Sequence, residues 1–397
     1  MNKRKKVLFV INSMMCGGAE KSLISLLPLI DYSKYSVDLQ LFRKSGEFLE
    51  LIPKEVNILD NIIYFDFLKK SFKEKLLYSK KSYFLSYLKN SIGIRVNKKN
   101  HATEIFWSAC HSSIDTNPNK YDVAIAWGQG NPTHYVAEKV NAVKKIAWIN
   151  ADYVKTGHNM DFDKKYYDKF DNVVAVSNEL EKMLSAKFPF LDDKLTVILD
   201  IQNADMITKM ASFCNENFCK DKDNVAIATV GRMVQLKGYD LAVDAANQLK
   251  EQKIKFKWYF VGDGPEKEKI VKKLNEYGLE NKVILTGSKS NPYPYIQNAD
   301  IYVQTSRQEG YCLTLAEARI LNKPIVTTNF DVVHEQVVDG ENGLIVDIDA
   351  NSIAEGIIKI LNNDDLRNNL INNLNNEKKG NIEELDKFYN LVEGEYC

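Results

Sequence analysis

The chain has 397 residues, 45% hydrophobic and 27% charged, with 53 basic and 53 acidic side chains. That length suits two or more domains with sizeable cores, and zero net charge gives no whole-molecule field for nucleic acid. No run approaches the roughly 18–20 apolar residues that span a bilayer, and six scattered cysteines (Cys16, Cys110, Cys214, Cys219, Cys312 and Cys397) fit neither a disulfide framework nor zinc spacing. They read as reduced thiols of a cytosolic protein. Cys16 and Cys312 stand beside candidate site loops, where small filler is favoured over a catalytic thiol.

The basic start Met1–Lys6 runs into Val7–Ile11, too short for a signal segment and better read as a buried parallel strand. Gly17-Gly18-Ala19-Glu20 follows, then a helix with Leu23, Ile24, Leu26, Leu27 and Ile30 on one face. Gly17 and Gly18 either let backbone approach a ligand closely or serve only the turn. The G-x-G-x-x-G pattern of a dinucleotide site is missing. Val37, Leu39 and Leu41 alternate as a second strand, and Val56–Leu59 suits a third.

From Tyr64 to Asn100 the composition shifts. Lysines including Lys69, Lys70, Lys73, Lys80 and Lys81 outnumber acids and interleave with Phe65, Phe67, Tyr83, Phe84 and Tyr87. Such a stretch either lies on an anionic membrane surface or packs its aromatics inward with lysines in solvent. Strands return at Val123–Trp127 and Lys145–Ile149, the latter leading into Asn150-Ala151-Asp152. Asp152 is a candidate ligand contact or helix N-cap. Val173–Val176 and Thr196–Leu199 complete the first half.

After the polar stretch 200–224, strand and helix alternate: Val225–Val230, Tyr239–Leu249, Phe256–Val261, Pro265–Tyr277, Val283–Thr286, Ile301–Gln304, Ile325–Thr328 and Leu344–Val346. This spacing predicts a parallel doubly wound sheet. Two such halves imply ligand-facing loops and a cleft between them.

Three strand-to-loop junctions carry charge or glycine at their tips. Gly231-Arg232 leads to Lys237-Gly238, Val261-Gly262-Asp263-Gly264 follows its strand, and Glu309-Gly310-Tyr311-Cys312-Leu313-Thr314-Leu315-Ala316-Glu317 follows the run Ile301–Gln304. Arg232 offers planar donors and Lys237 a mobile point charge, both suited to a pyrophosphate. Thr314 and Glu317 predict a capping box, which places Glu317 in the first helical turn, and Pro324 must end that helix. A helix end of this kind presents free N–H groups to an anion, while carboxylates at Glu309 and Glu317 suit sugar hydroxyls.

Together these junctions resemble the donor-binding half of the retaining glycosyltransferases of family four, which have the GT-B fold of two Rossmann-like α/β domains. The resemblance is strongest over Val225–Val346 and weak over about 61–120. It implies an acceptor-side domain at 1–202, joined by a last helix (about 381–397) crossing back, and a nucleotide-sugar domain at 203–380. It also implies transfer from a nucleotide donor, usually a UDP-sugar, with retention. Gly231, Arg232 and Lys237 would stand at the pyrophosphate, Glu317 at the ribose and Glu309 at the transferred sugar. Gly310, Tyr311, Cys312 and Leu313 would serve through backbone, Thr286 and Gly287 near the base, and Gly17, Gly18 and Gly262 in loops around the donor. The segment Trp148-Ile149-Asn150-Ala151-Asp152 departs from a family pattern that often carries histidine at the position of Asn150. Asparagine can hydrogen-bond but cannot shuttle a proton, so that histidine's role is in doubt here. No Asp-x-Asp stands in a metal-binding context, so no metal or cofactor is expected; the UDP-sugar is a substrate. The acceptor is expected to be a saccharide or lipid-linked saccharide of a capsule-type polysaccharide. An inactive nucleotide-sugar-binding module and a UDP-sugar epimerase remain alternatives on the same fold.

Overall fold

Apolar runs too short for helices but separated by helix-length segments become parallel strands buried on both faces. The computed structural model describes residues 4–97, 100–153, 156–213 and 223–394. Cys214, Cys219, Cys397, Lys98, Lys99 and the end of the expected last helix lie outside the described residues. The chain divides into two units. Unit 1 comprises Met1–Met15, Ala19–Leu199 and Leu385–Cys397; unit 2 comprises Asp200–Glu384 together with Cys16–Gly18.

Unit 1 runs β1 (Lys5–Ile11), α1 (Gly18–Leu26), β2 (Tyr35–Leu41), β3 (Asn57–Ile58), α2 (Ile63–Lys69), α3 (Phe72–Leu77), α4 (Lys81–Val96), α5 (Ala102–Cys110), β4 (Lys120–Trp127), α6 (Asn131–Lys139), β5 (Asn141–Ile149), α7 (Met160–Tyr167), β6 (Asn172–Ala175), α8 (Asn178–Lys187) and β7 (Leu195–Val197). Its sheet has the order β3-β2-β1-β4-β5-β6-β7, every pair parallel.

Unit 2 runs α9 (Ala204–Ala211), β8 (Val225–Val230), α10 (Tyr239–Glu251), β9 (Phe256–Val261), α11 (Lys267–Tyr277), β10 (Val283–Gly287), α12 (Tyr293–Asn298), β11 (Ile301–Gln304), α13 (Leu313–Ile320), β12 (Ile325–Thr328), β13 (Leu344–Val346), α14 (Ala350–Leu361) and α15 (Asp364–Asn376). Its parallel sheet has the order β10-β9-β8-β11-β12-β13. Period-two alternation sends Ile227, Trp258, Phe260 and Val303 to one apolar core and Ala228, Tyr259 and Tyr302 to another on the opposite face.

The last helix, α16 (Glu384–Glu393), packs on the first sheet. Phe388 stacks on Phe9 with ring centroids 6.2 Å apart, and Tyr389 on Tyr35 at 5.4 Å. Lys144 Nζ donates to the Leu391 carbonyl (2.6 Å), and Lys5 pairs with Glu393 (2.7 Å). Aromatic stacking and these end contacts hold the chain terminus against β1 and β5.

In both sheets the strand order reverses once, between β1 and β4 in unit 1 and between β8 and β11 in unit 2. Loops at the C-terminal ends of strands diverge there and leave a crevice, which is where open α/β sheets bind ligands.

Candidate functional site

The loops that flank the unit 2 reversal are those after β8 and β11. The first, Gly231–Gly238, ends in a tight turn over Gln235–Lys237, with Gly238 left-handed at φ 66. A Cβ on Gly238 would lie 1.9 Å from the Thr305 carbonyl oxygen, so the two loops touch only because this residue is glycine. Gly262 (φ 153) is forced the same way, 1.9 Å from the Gly231 carbonyl. Glycine at 262 is thus demanded by backbone packing between the loops after β8 and β9. Gly231 itself has ordinary room.

That close packing brings Lys237 and Glu309 together. Lys237 Nζ lies 2.6 Å from both carboxylate oxygens of Glu309. Oε1 also accepts from Ser306 Oγ (2.6 Å) and Gln304 Nε2 (3.1 Å). Gln304 is in turn fixed by the Tyr302 hydroxyl (2.6 Å) and Thr314 Oγ1 (3.2 Å), both donating to its Oε1. The side chain of Glu309 is 7% exposed and that of Lys237 27%, so the lysine is the one that reaches solvent. Burial works against the Lys237 charge, but the Glu309 carboxylate outweighs it and holds the ammonium above its usual range. Glu309 Oε2 receives only Lys237 among the described residues, which leaves acceptor capacity on that oxygen.

Arg232 is exposed and makes no hydrogen bond or ion pair among the described residues, although its charge is felt at Lys237. The neighbouring Arg307 is engaged instead, bidentate to Asp240 (2.7 and 2.6 Å) and donating to the Gln235 carbonyl. It clamps the loop after β11 to the loop after β8.

Helix α13 begins at Leu313, two residues earlier than the capping-box pattern with Thr314 as N-cap predicts. Its N-cap is Cys312, left-handed at φ 71, with no side-chain cap. Thr314 is already the second residue of the helix, its hydroxyl donating to Gln304, and Glu317 falls in the second turn. There it is buried and accepts from the Tyr293 hydroxyl (3.3 Å). The helix ends at Ile320, before Pro324, because Asn322 turns left-handed and Lys323 N–H closes onto the Ala318 carbonyl. Gln336 Nε2 donates to the carbonyls of Tyr311 and Cys312 and pins the strained turn from below. Burial, then the nearby Glu309 charge, raises the Cys312 thiol well above its ordinary pKa, which makes it inert filler.

Thr286 Oγ1 bonds the Phe260 carbonyl at 3.4 Å, and Gly287 is left-handed (φ 73) with open space around a Cβ. Gly18 opens α1 and also has open space, so nothing in the chain demands glycine there; Gly17 precedes it.

In unit 1, Asn150 follows β5. Its N–H donates to Gln129 Oε1 (3.2 Å), and Gln129 Nε2 donates to the Ala151 carbonyl (2.8 Å), which ties the loops after β4 and β5 together. The Asn150 side-chain amide is different: both its atoms are buried with no partner among the described residues. Asp152 is buried and is not the next helix's N-cap; that role belongs to Asn159. Behind this loop is a cluster invisible to motif reading. His134 Nε2 lies 2.5 Å from Asp163 Oδ1, and the Tyr153 hydroxyl donates to Asp163 Oδ2, all three buried. His158 sits against Tyr153 (5.2 Å) and His101 (4.0 Å between ring centroids).

Sequence reasoning missed Gln304, Ser306, Gln336 and Tyr293. A polar Gln304 closing an otherwise apolar strand is a signal that could have found it; the others become visible only in three dimensions.

Residues 215–377 match the family model of glycosyl transferases group 1. Among curated relatives, the N-acetylgalactosamine-N,N'-diacetylbacillosaminyl-diphospho-undecaprenol 4-alpha-N-acetylgalactosaminyltransferase of Campylobacter jejuni is 25% identical over 91% of this chain and 92% of its own. The poly(ribitol-phosphate) alpha-N-acetylglucosaminyltransferase of Staphylococcus aureus is 29% identical over 48% of this chain and 40% of its own. In fold, the chain resembles S. aureus TarM, crystallised with fondaparinux, alpha-GlcNAc-glycerol and UDP, at TM-score 0.70, 19% identity and coverage of 98% and 99%. It likewise resembles Anabaena HepE with UDP-glucose, at TM-score 0.68, 15% identity and coverage of 98% and 100%. With its two parallel Rossmann-like sheets the chain has the GT-B fold of these solved structures, and residues 215–377 of its sequence are a glycosyl transferases group 1 domain.

Proposed function

We propose that the protein moves a sugar from a UDP-sugar to a saccharide or lipid-linked acceptor in the synthesis of a bacterial surface polysaccharide, with retention at the anomeric carbon and without a metal. The observation that carries this is the Lys237–Glu309 pair beside the uncommitted Arg232, at the strand reversal of unit 2. Two cations on adjacent loops suit a diphosphate, whose negative charge grows as the glycosidic bond breaks. Glu309 is held from three sides and keeps acceptor capacity on Oε2, the arrangement needed to hold sugar hydroxyls in one orientation. Glu317 is assigned to the ribose hydroxyls, and Thr286 and Gly287 to the base. The N–H groups around Gly310–Leu313, where no side chain caps α13, are assigned to the sugar and phosphate. Asn150 and Asp152 are assigned to the acceptor side.

Retention rests on family likeness. A double displacement would need a carboxylate nucleophile, and Glu309, locked by Lys237, Ser306 and Gln304, is better suited to binding. The UDP choice is supported by the ligands of TarM and HepE, and a lipid-linked acceptor by the name of the C. jejuni relative. A thermal-shift panel of nucleotide sugars, followed by UDP release with and without saccharide acceptors, tests the reading. UDP-sugars are expected to raise the melting temperature and to be consumed only with acceptor present. A panel without any stabilising nucleotide sugar would remove the donor assignment. EDTA is expected to leave turnover unchanged, and restoration by a divalent ion after its loss would overturn the metal-free proposal.

A further inference from the structure

The helices between β3 and β4 carry a surface that the sugar-transfer site does not use. Over Ile63–Asn97 there are eight Lys and Arg side chains against two acidic ones, in a chain of zero net charge. Of the seventeen large hydrophobic side chains exposed among the described residues, eight lie between Ile63 and Val96. The charge and the exposed apolar surface thus coincide.

The structure separates two sets of side chains that alternate in the sequence. Most aromatics turn inward: Tyr64, Phe67 and Tyr83 are buried and pack on one another, with Tyr64 reaching Cys110 and Ser86 reaching Ser113. The outward face is mainly aliphatic, with Phe72 its exposed aromatic. On α4, Lys81, Leu85, Lys89, Ile92 and Val96 recur every three or four residues, so they share one face of the helix. Leu85 is 58% exposed, Ile92 59% and Val96 78%. The neighbouring α3 continues this face with Phe72, Leu76 and Leu77; Phe72 touches Phe84 of α4 at 5.9 Å, and Lys81 Nζ donates to the Leu76 carbonyl. The acids offset only part of the charge: Asp66 pairs with Lys69, Asp115 with Lys80, and Glu74 caps its own helix at Ser71, while Lys73, Lys81 and Lys89 have no acidic partner among the described residues.

We infer that this face of unit 1 docks on an anionic lipid surface, with the aliphatic ridge of α3 and α4 in the headgroup boundary and the lysines against lipid phosphates. Charge complementarity selects this occupant. A second copy meeting the same face about a two-fold axis would set like charges against each other. Single-stranded nucleic acid binds through several exposed aromatic platforms, whereas the exposed apolar side chains here are one aromatic, Phe72, and seven aliphatics that offer bases no stacking face. An anionic bilayer satisfies both halves of the surface at once. None of the described helices is long and apolar enough to cross a membrane, so the contact lies along the surface. The inference stands apart from the donor assignment.

The test is vesicle sedimentation of the full chain at low salt, with phosphatidylcholine vesicles and with phosphatidylcholine–phosphatidylglycerol vesicles. Two variants accompany the wild type: Lys73→Gln, Lys81→Gln and Lys89→Gln combined, and Leu77→Ser, Leu85→Ser and Ile92→Ser combined. All six side chains are exposed, so unchanged melting temperatures are expected. The wild type should partition at least about tenfold better onto the anionic vesicles, and added salt or either variant should remove most of that gain. Wild type that stays in the supernatant, or variants that sediment as it does, would overturn the proposal. So would light scattering that shows a wild-type dimer made monomeric by the Ser variant, or an oligonucleotide retained in place of vesicles.

Discussion

The two strand reversals are alike in topology and opposite in how their polar groups are satisfied. In unit 2 the loops after β8 and β11 are joined by charge: Lys237 to Glu309, Arg307 to Asp240, and a relay from Tyr302 through Gln304 to Glu309. In unit 1 the loops after β4 and β5 are joined by neutral bonds through Gln129, and Asn150 presents a buried amide without a partner among the described residues. The charged site is preorganised by its own chain, which suits a ligand carrying a fixed diphosphate. The neutral site keeps donors and acceptors in reserve, which suits a ligand that supplies hydroxyls. Substitutions in the two places should therefore fail in different ways.

The largest contrast is expected at Glu309. Glu309→Gln should lower turnover by about a hundredfold or more, the size seen when a preorganised group at the reacting centre is removed. UDP affinity should hardly change, because Lys237 is then released toward the diphosphate. Single-turnover kinetics beside calorimetry separate the two quantities. Equal losses in both would mean that Glu309 supports the nucleotide instead of the sugar.

Unit 1 should show its dependence on acid. Burial lowers the pKa of His158 from 6.5 to about 4, with the charges of His101 and His134 acting in the same direction and Asp163 opposing. Burial also lowers that of His101. A base whose folded pKa is depressed binds more protons when unfolded, so stability rises with pH across the window between the two values. Between about pH 6.5 and pH 4, His158 alone should cost up to about 3 kcal/mol as the pH falls. Denaturant unfolding at several pH values checks this, with His158→Gln expected to flatten the slope. An identical slope in that variant would assign the acid sensitivity elsewhere.

Arg232 comes next in size. Arg232→Ala should weaken UDP by about 1.5–3 kcal/mol, the worth of charged hydrogen bonds, without changing stability, since the side chain is exposed and uncommitted. Unchanged affinity in calorimetry would break the assignment of the diphosphate to this loop.

How much of this was legible in the sequence follows from the same contrast. The strands Phe256–Val261, Ile301–Gln304, Ile325–Thr328 and Leu344–Val346 are where their apolar runs place them, because strands buried on both faces carry an unbroken signal. The loops Gly231–Gly238 and Glu309–Glu317 were legible as the segments that follow apolar strand runs, but their contact through Lys237 and Glu309 was not. The start of α13 was not legible either, since Thr314 already lies inside the helix and a cysteine adopts the left-handed turn. Nor was the cluster of His101, His134, His158 and Asp163, whose members lie far apart in the chain. In the segment after Tyr64 two options stood open; Tyr64, Phe65, Phe67 and Tyr83 are buried as core packing requires, while Phe72 and the aliphatic side chains of α3 and α4 stay exposed.

The smallest predicted effect is the sharpest test of the unit 1 site. A buried amide that lacks partners costs free energy in the folded chain, so deleting it should be neutral or stabilising, by up to about 1–3 kcal/mol. Asn150→Ala should thus leave the melting temperature unchanged or raise it, whereas Ser306→Ala, which strips a 2.6 Å bond from Glu309, should lower it. If the amide is kept for an acceptor, Asn150→Ala should also raise the acceptor KM by about tenfold, one hydrogen bond's worth, with UDP affinity intact. Steady-state kinetics with acceptor varied at saturating donor would read this directly. A destabilised Asn150→Ala variant with an unchanged KM would mean that the amide serves the fold, and the difference drawn between the two reversals would not hold.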